Sequence, residues 1–153
     1  MAASWLIVNT PANFAISAGL GWSVQGFKSR HGKKAAAMRP GDRLIYYLTQ
    51  EQVFAGMAQV TSAAFEAHDL IWHSEGRPGE DYPWRVRITP LSILQPAQYL
   101  PAEPLAGRLA HVRKWPAANW TLAFQGNVHL LPVEDGELLA EQIDQATRDS
   151  GSL

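Results

Sequence analysis

Hydrophobic and polar positions along the chain form short blocks that predict several strands and few helices. The first block is a continuous apolar run from Trp5 to Val8, which is typical of a buried strand, and Asn9 ends it. Thr10 can cap a helix and Pro11 suits the first helical turn, so a helix is predicted up to the next pair of glycines. The start of the chain therefore predicts a strand and a helix, followed by a loop.

The middle of the chain contains two apolar strand patterns and one long polar segment. Apolar residues dominate 44–48 and again 53–60, and a Pro-Gly turn signal precedes the first of these runs. The segment 66–83 is polar, with glycine and proline near its end, and Trp72 lies in its middle. This composition predicts a long surface loop, a kind of segment that often carries function.

An alternating pattern follows the polar segment. Its residues are Trp84, Arg85, Val86, Arg87 and Ile88. Such alternation predicts a half-buried strand with the apolar side chains on one face and both arginines on the other.

The last third of the chain predicts two short strands about the turn Gly126-Asn127, after a Pro-rich connection with one helical turn. An amphipathic helix is predicted at the end, because Leu139 and Ile143 lie four residues apart on one helical face. Strands outnumber helices in this pattern. The expected fold class is therefore α+β, with a curved or barrel-like sheet.

Composition narrows the class of protein. The chain has 153 residues, of which 46% are hydrophobic and 18% charged, as expected for one globular domain. It contains no cysteine, which excludes disulfides and thiolate zinc sites and fits a reducing compartment. The apolar run at the start lacks a preceding basic region, and no run is long enough to span a membrane. A cytoplasmic protein with no membrane partner is expected.

Charge is unevenly distributed although the formal net charge is only -1. Residues 1–43 contain six basic side chains and one acid, whereas 134–149 contain six acids and one base. The segment 19–36 has no acid, and its basic side chains are Lys28, Arg30, His31, Lys33 and Lys34. This asymmetry is compatible with chance variation along a chain, but it also favours an anionic partner on the basic side.

Motifs for catalysis or metal binding are missing from the sequence. The five histidines form no metal-binding helix pair, and the dipeptide His68-Asp69 is more typical of a solvated surface pair. Two close glycines near Trp22 follow the predicted helix and do not open one, so they do not form a dinucleotide-binding turn. No catalytic residue, metal or cofactor is expected.

Two of the six tryptophans, Trp22 and Trp72, lie in predicted loops among small or polar residues. A loop tryptophan commonly covers the edge of a core. The alternative is recognition, because an indole can stack on a nucleobase that has been pulled out of its strand. Ser23 follows Trp22 directly, and Asn9 and Thr10 at the end of the first strand can supply hydrogen bonds to a base edge.

Several segments, taken in order, resemble EVE domains, which are PUA-like modules related to YTH domains. The segments are "WLIVNT", "HGKKA", "RPGDRLIYY", "FAGMAQV", "YPWRVRITPL", "NW" at 119–120 and "FQGNVHLLPVEDGELLAEQI". The resemblance covers residues 4–146 as one domain and leaves 147–153 as a C-terminal tail. It implies a PUA-like mixed β-barrel with a few flanking helices, and a pocket that accepts a flipped and often modified base of DNA or RNA.

The resemblance also implies roles for single residues. Trp22 and Ser23 match the tryptophan and small residue that form one wall of an aromatic cage in YTH domains, with Phe27 as a competing candidate. Trp72 is the nearest candidate for the second wall, because it lies in the loop after the matching strand Phe54 to Ala58. Polar contacts from the end of the first strand correspond to Asn9 and Thr10.

The function expected is recognition of a modified base in an aromatic pocket flanked by a basic loop. Asn9, Thr10, Trp22, Ser23 and Trp72 are expected to contact the base, and His31 either joins them or anchors the loop. The phosphate contacts are expected from Lys28, Arg30, Lys33 and Lys34. Nothing in the sequence names a downstream effector protein.

Two alternatives remain open from the sequence. The first is an enzyme acting on a nucleotide or small anion, with His31 working beside a carboxylate such as Asp69. The second is a small-molecule sensor or interaction domain on the same fold, whose basic run is simply solvated.

Overall fold

A computed structural model of the protein describes residues 2–151, with side chains for residues 2–149. The strands are β1 (Ser4–Asn9), β2 (Val24–Phe27), β3 (Arg43–Leu48), β4 (Val53–Val60), β5 (Phe65–Glu66), β6 (Trp84–Ile93), β7 (Leu100–Pro101) and β8 (Val128–Leu130). The α-helices are α1 (Pro11–Gly19), α2 (Gly32–Ala37), α3 (Glu103–Ala106) and α4 (Val133–Gly151). Short 3₁₀ helices cover Ser29–His31, Pro96–Gln98, Val112–Lys114 and Ala117–Phe124.

The strands form one mixed sheet that curls into a half-barrel, in the order β2-β6-β4-β3-β1-β8. Strands β1 and β3 are parallel, and the other neighbours along this order are antiparallel. The register shifts between Tyr46 and Tyr47 and again between Met57 and Ala58, and such bulges bend a sheet. The parallel pair brings the carboxyl ends of β1 and β3 to one edge, where the candidate site lies.

Both faces of the central strands are buried, which explains why β1 is apolar without alternation. Leu6 and Val8 belong to one hydrophobic cluster, which α4 covers with Leu139 and Ile143. Trp5 belongs to the other, which α1 and α2 cover. The sheet therefore lies between two layers of helices and loops.

The predicted fold class and several elements are confirmed. The α+β fold with a curled, barrel-like sheet is present, and β1 and α1 lie where the pattern predicted them. Thr10 caps α1, since its Oγ1 accepts a hydrogen bond of 3.1 Å from the backbone N–H of Asn13. Leu139 and Ile143 do share the buried face of α4.

Three predictions about local structure are wrong. The segment Ala117–Phe124 forms 3₁₀ turns after Pro116, so only β8 remains of the two strands expected there. The stretch 19–36, expected to be a loop, contains β2 and the start of α2. Arg85 does not face solvent, because the loop before β6 folds over it and leaves its side chain 3% exposed.

The domain boundary expected after residue 146 falls inside α4, which continues to Gly151. Residues 152 and 153 of the expected tail lie outside the described residues. No helix within the described part of the chain is long and apolar enough to cross a membrane.

Candidate nucleic-acid interface

A polar pocket of about 380 Å³ opens at the carboxyl ends of β1 and β3. We name it the Asn9 pocket, and its lining residues are Val8, Asn9, Thr10, Asn13, Lys28, Arg30, Thr49, His73, Ser74, Glu75, Arg77, Tyr82, Gly126 and Asn127. These residues come from the end of β1 with the adjoining α1, the end of β3, the segment after β2, the loop before β6 and the turn before β8. The fold thus collects five separate segments at one edge of the sheet.

Asn9 is the most informative residue of this pocket. Its side chain is 4% exposed, and its Nδ2 atom has no hydrogen-bond partner among the described residues. A buried polar group without a partner costs roughly 1–3 kcal/mol, so native proteins rarely keep one without a function. The Nδ2 atom of Asn9 is therefore an unused hydrogen-bond donor buried in the wall of the pocket.

Thr10 and Asn13, which follow Asn9 in the pocket wall, already have partners. Thr10 caps α1, and the Asn13 side-chain amide makes two hydrogen bonds with the backbone of His73. Asn13 Nδ2 donates to the His73 carbonyl at 2.8 Å, and Asn13 Oδ1 accepts from the His73 N–H at 2.9 Å. Asn13 thereby fixes the loop that forms the opposite wall of the pocket.

Cations border the pocket together with two carboxylates, Glu75 in the lining and Glu80 between two of the cations. Lys28 Nζ lies 3.7 Å from Glu80 Oε1, and an Arg77 guanidinium nitrogen lies 3.9 Å from Glu80 Oε2. Arg30 joins these two basic residues in the lining. The arrangement suits a ligand that carries negative charge outside the pocket and polar edges within it.

Tyr82, which sequence reasoning missed, lines the pocket with a largely buried side chain, and the residue is 5% exposed. Its hydroxyl lies 2.7 Å from Ser74 Oγ, and Lys28 Nζ lies 5.9 Å from its ring centroid. Its backbone has φ 46°, a left-handed value that is unusual for a bulky residue and is often found at functional sites. Burial raises the pKa of its phenol above the ordinary value.

The loop 69–82 carries Tyr82 and is anchored by a buried arginine. Arg85 donates to the Asp69 carboxylate at 2.6 Å and to the backbone carbonyls of Asp69 and Asp81. Because Asp69 and Asp81 lie near the two ends of the loop, one guanidinium holds both ends. The hydrogen bond from Arg85 lowers the pKa of Asp69.

Trp72 anchors the same loop from inside the protein. Its side chain is 1% exposed, and its indole N–H donates to Ser17 Oγ at 3.0 Å. The ring packs so closely on Gly26 that a Cβ atom there would overlap it, and the Arg85 guanidinium lies 5.4 Å from the ring centroid. Trp72 therefore occupies the core in this structure.

Trp22 also lies away from the Asn9 pocket. It is 9% exposed and packs on Phe14 and Tyr46, at centroid distances of 4.6 and 5.5 Å. It borders a separate, largely apolar hollow of about 340 Å³. The aromatic cage expected between Trp22 and Trp72 is not formed. The loop 69–82 places the Trp72 ring in the core beneath the loop, and α1 packs against Trp22 through Phe14.

The remaining residues that were expected to contact a base or a phosphate lie at several places outside the Asn9 pocket. Ser23 Oγ donates to the Leu20 carbonyl at 2.8 Å beside Trp22, and Phe27 is fully buried. Lys33 borders a hollow next to Trp84. Of the residues expected to contact base or phosphate, those that the structure gathers at one pocket are Asn9, Thr10, Lys28 and Arg30.

His31 lies beside the pocket and takes part in the basic loop. Its Nε2 accepts a hydrogen bond of 3.3 Å from Arg30 Nε, and Lys34 Nζ donates to the Val128 carbonyl at 2.8 Å. Burial, followed by the charges of Lys34 and Arg30, lowers the pKa of His31 to about 4. The pairing of His31 with Asp69 is not formed, since Asp69 binds Arg85.

The dipeptide His68-Asp69 does not mark a metal site in the described residues, where no group of three or more potential ligands is found. His68 bridges Glu66 and Asp81 at 2.7 and 2.6 Å, and these hydrogen bonds raise its pKa.

The curled mixed sheet with helices on both faces is a fold of the PUA-like class, and a polar pocket opens at its strand ends. Within that class, the chain belongs to the EVE domain family, whose model matches residues 3–138.

Two archaeal relatives have a similar sequence. A UPF0310 protein of Pyrococcus abyssi is 30% identical over 101 residues, which cover 61% of this chain and 70% of that protein. A UPF0310 protein of Pyrococcus horikoshii is 27% identical over 127 residues, which cover 76% and 83% of the two chains.

Solved structures share the fold at low sequence identity. The YTH domain-containing protein Mmi1, in a complex with RNA, has a TM-score of 0.68 at 15% identity, with 99% of this chain and 88% of that chain covered. A protein of Pseudomonas putida has a TM-score of 0.60 at 16% identity, covering 92% and 99%. A protein of Rhodopseudomonas palustris has a TM-score of 0.56 at 20% identity, covering 94% of each chain.

Proposed function

We propose that this protein binds nucleic acid and holds one flipped base in the Asn9 pocket. The observation that carries the proposal is the buried amide of Asn9, whose Nδ2 has no partner among the described residues and which lines a pocket bordered by cations. A nucleobase presents carbonyl oxygens and ring nitrogens that accept such a hydrogen bond. Phosphates on either side of the base would meet Lys28, Arg30 and Arg77.

The size and chemistry of the pocket support a base-sized ligand. Its volume lies in the lower part of the range for small-molecule sites, roughly 300–1,000 Å³. Tyr82 offers a ring face or edge, and Thr49 and Ser74 add hydroxyl groups. Extrusion of a base into such a pocket costs a few kcal/mol of unstacking, which aromatic contact and edge hydrogen bonds can offset.

A modified base is part of the proposal. A methyl group on an exocyclic amine adds apolar area and removes one donor, and Val8 and the Tyr82 ring are the apolar groups in the lining that could contact it. The RNA complex of the Mmi1 YTH domain, which shares the fold, supports a nucleic acid as the partner. Both DNA and RNA therefore belong in the test.

The direct test is binding of fluorescent single-stranded oligonucleotides, measured by anisotropy. The panel consists of DNA and RNA strands of about fifteen nucleotides, each with a central adenine, N6-methyladenine, cytosine, 5-methylcytosine or N4-methylcytosine. At least one strand is expected to bind, with a methylated base preferred over its plain counterpart. Negligible binding of every strand contradicts the proposal.

The Asn9→Ala variant locates the site. Loss of one edge hydrogen bond is expected to weaken binding about tenfold, since such a bond contributes about 1.5 kcal/mol when its partner is left unpaired. The matched control is Asn119→Ala, which removes the same amide from an exposed position. Equal affinity of Asn9→Ala and the unaltered protein places the base elsewhere.

A further inference from the structure

A second cationic surface begins at the edge of the Asn9 pocket with Arg30, and its other residues are ones that the proposed function does not use. We name it the basic track, and its members are Arg30, His31, Lys34, Lys114 and His129. They come from the 3₁₀ turn Ser29–His31, from α2, from the 3₁₀ turn Val112–Lys114 and from β8. Segments far apart in the sequence thus bring their basic side chains to one side of the pocket.

Two contacts join the basic track to the pocket. Arg30 lines the pocket and donates its Nε–H to Nε2 of His31 at 3.3 Å. Gly126 also lines the pocket, and a Cβ atom on it would lie 3.6 Å from Nε2 of His129. The pocket therefore adjoins the basic track at two places, at Arg30 with His31 and at Gly126 with His129.

The basic track reaches a second hollow at its surface through Lys114, the exposed neighbour of Trp115, and the buried ring of His111 lies beneath it. His129 and His111 have ring centroids 5.0 Å apart, and His111 and Trp115 have centroids 5.8 Å apart. Trp115 and Trp120 border a hollow of about 450 Å³, together with Arg113. Both indoles are only partly buried against the core.

The lysine and arginine side chains of the basic track, Arg30, Lys34 and Lys114, are all positive, and the pKa values of His31 and His129 lie below the ordinary value. After burial, the groups that lower the pKa of His31 are Lys34, Arg30, His129 and Lys28. After burial, those that lower the pKa of His129 are His111, Lys34 and Lys114, while a hydrogen bond with the Gln125 carbonyl acts the other way. The acid that acts on these rings is Asp135, which accepts hydrogen bonds from the backbone N–H groups of Ala110 and His111 and partly offsets the lowering of the His111 pKa by burial. Like charges held together in this way would be relieved by a bound anion.

We propose that the basic track binds the phosphodiester backbone of the strand that leaves the Asn9 pocket, and that the hollow between Trp115 and Trp120 stacks an unpaired base of that strand. The proposal rests on the proposed function, because the base pocket sets where the strand begins. Cationic side chains followed by accessible indoles are the combination that single strands use, since every base has a face on which to stack. The ligand is therefore a single-stranded segment on one side of the recognised base.

Probes of two lengths distinguish binding at the basic track from binding in the Asn9 pocket, because only the longer strand can reach the track. The probes are the tightest-binding oligonucleotide of the panel and the trinucleotide with the same central base. Lys114→Gln is expected to weaken the long probe about three- to tenfold and to lower its salt slope by about one, with the trinucleotide unchanged. Arg148→Gln, which removes the same charge from the last turn of α4, is the matched control and should change neither.

The proposed stacking of a base between Trp115 and Trp120 is tested by Trp120→Leu, which keeps an apolar side chain in the hollow. The long probe is expected to lose about tenfold in affinity, as is typical of one stacked base, and the trinucleotide should bind as before. A duplex with no unpaired flank should bind more weakly than the single strand. Equal binding of duplex and single strand overturns the stacking contact.

The histidines give an independent readout. The pKa of His31 is about 4 in the free protein, and a bound phosphate raises the pKa of a neighbouring histidine, so the affinity of the long probe should increase as the pH falls from about 7 towards 4. This increase should be smaller in the double variant His31→Gln/His129→Gln. An identical pH dependence in both proteins counts against the basic track.

The outcomes distinguish the two proposals. Loss of trinucleotide binding in Asn9→Ala, with no effect of Lys114→Gln or Trp120→Leu on the long probe, overturns the basic track and leaves the base pocket intact. An equal loss for both probe lengths in Lys114→Gln also overturns it, because the effect would then lie at the pocket. No binding of either probe to the unaltered protein overturns both proposals.

Discussion

At the scale of single residues, aromatic side chains of similar appearance in the sequence have different positions. Trp72 is buried against Gly26 and Ser17, Trp22 packs on Phe14, and Tyr82 lines the Asn9 pocket. An aromatic residue in a polar loop has no local signal that separates these outcomes. The loop path decides which ring remains available to a ligand.

This difference predicts which aromatic substitution affects binding. Tyr82→Leu is expected to weaken oligonucleotide binding by roughly 1 kcal/mol or more, because it removes the aromatic wall. Tyr82→Phe should retain most of the affinity, since it loses only the hydroxyl contacts with Ser74 and with the His73 carbonyl. Trp22→Phe serves as the control, and anisotropy titrations in which it weakens binding more than Tyr82→Leu would place the base near Trp22.

The lowered pKa of His31 leads to a prediction about how the free energy of unfolding depends on pH. Its pKa in the folded protein is about 4, below the ordinary value of 6.5, because burial and nearby cations disfavour its charged form. Between these values the unfolded chain takes up a proton that the folded protein does not, so the free energy of unfolding decreases as the pH falls from about 7 to about 4. Urea unfolding at several pH values should show a smaller decrease for His31→Gln, and parallel decreases for both proteins would contradict this assignment.

At the scale of elements, the loop 69–82 is part of the site because three anchors hold it. Arg85 binds both of its ends, Asn13 binds the backbone of His73, and Trp72 inserts into the core. A long polar loop without such anchors would not present Ser74 and Tyr82 at fixed positions. The rigidity of this pocket wall therefore depends on contacts with residues far away in the sequence.

Arg85→Met is expected to release this loop. The variant leaves the carbonyls of Asp69 and Asp81 without their buried donor, at a cost of about 1–3 kcal/mol. Hydrogen exchange should become faster in 69–82 while the amides of β1 and β3 remain protected. Arg87→Met, at an exposed position of the same strand, is the matched control, and similar exchange in the two variants would show that Arg85 is not the anchor.

At the scale of the whole molecule, the sheet is stabilised by two hydrophobic clusters on its opposite faces. Helix α4 covers one of them through Leu139 and Ile143, whereas α1 and α2 cover the other. The Asn9 pocket lies at the edge between these layers, where the parallel strands β1 and β3 end. The helices thus support the site without contributing most of its side chains.

Removing one contact of α4 should destabilise the whole fold. Leu139→Ala is expected to lower the free energy of unfolding by about 3 kcal/mol, because the side chain is 1% exposed and its loss leaves a cavity. Urea unfolding measures the change. Leu130→Ala, at a position that is 55% exposed, should have little effect, and comparable losses in both variants would contradict the packing described here.

The sequence by itself determined the elements whose signals are local. The unbroken apolar run of β1, the cap at Thr10 and the Leu139–Ile143 face of α4 follow from periodicity and capping chemistry, and both are encoded within a few residues. The order of the motifs likewise indicated the EVE domain family, which the family match to residues 3–138 confirms.

Only the tertiary structure decided which side chains form the pocket. The contacts of Trp72 with Ser17, of Arg85 with Asp69 and of Asn13 with His73 join segments that no local pattern relates. They depend on how the loop 69–82 crosses β6 and α1, and this path is set by packing and buried hydrogen bonds. For the same reason the unpartnered amide of Asn9 and the ring of Tyr82 became apparent only in the folded protein.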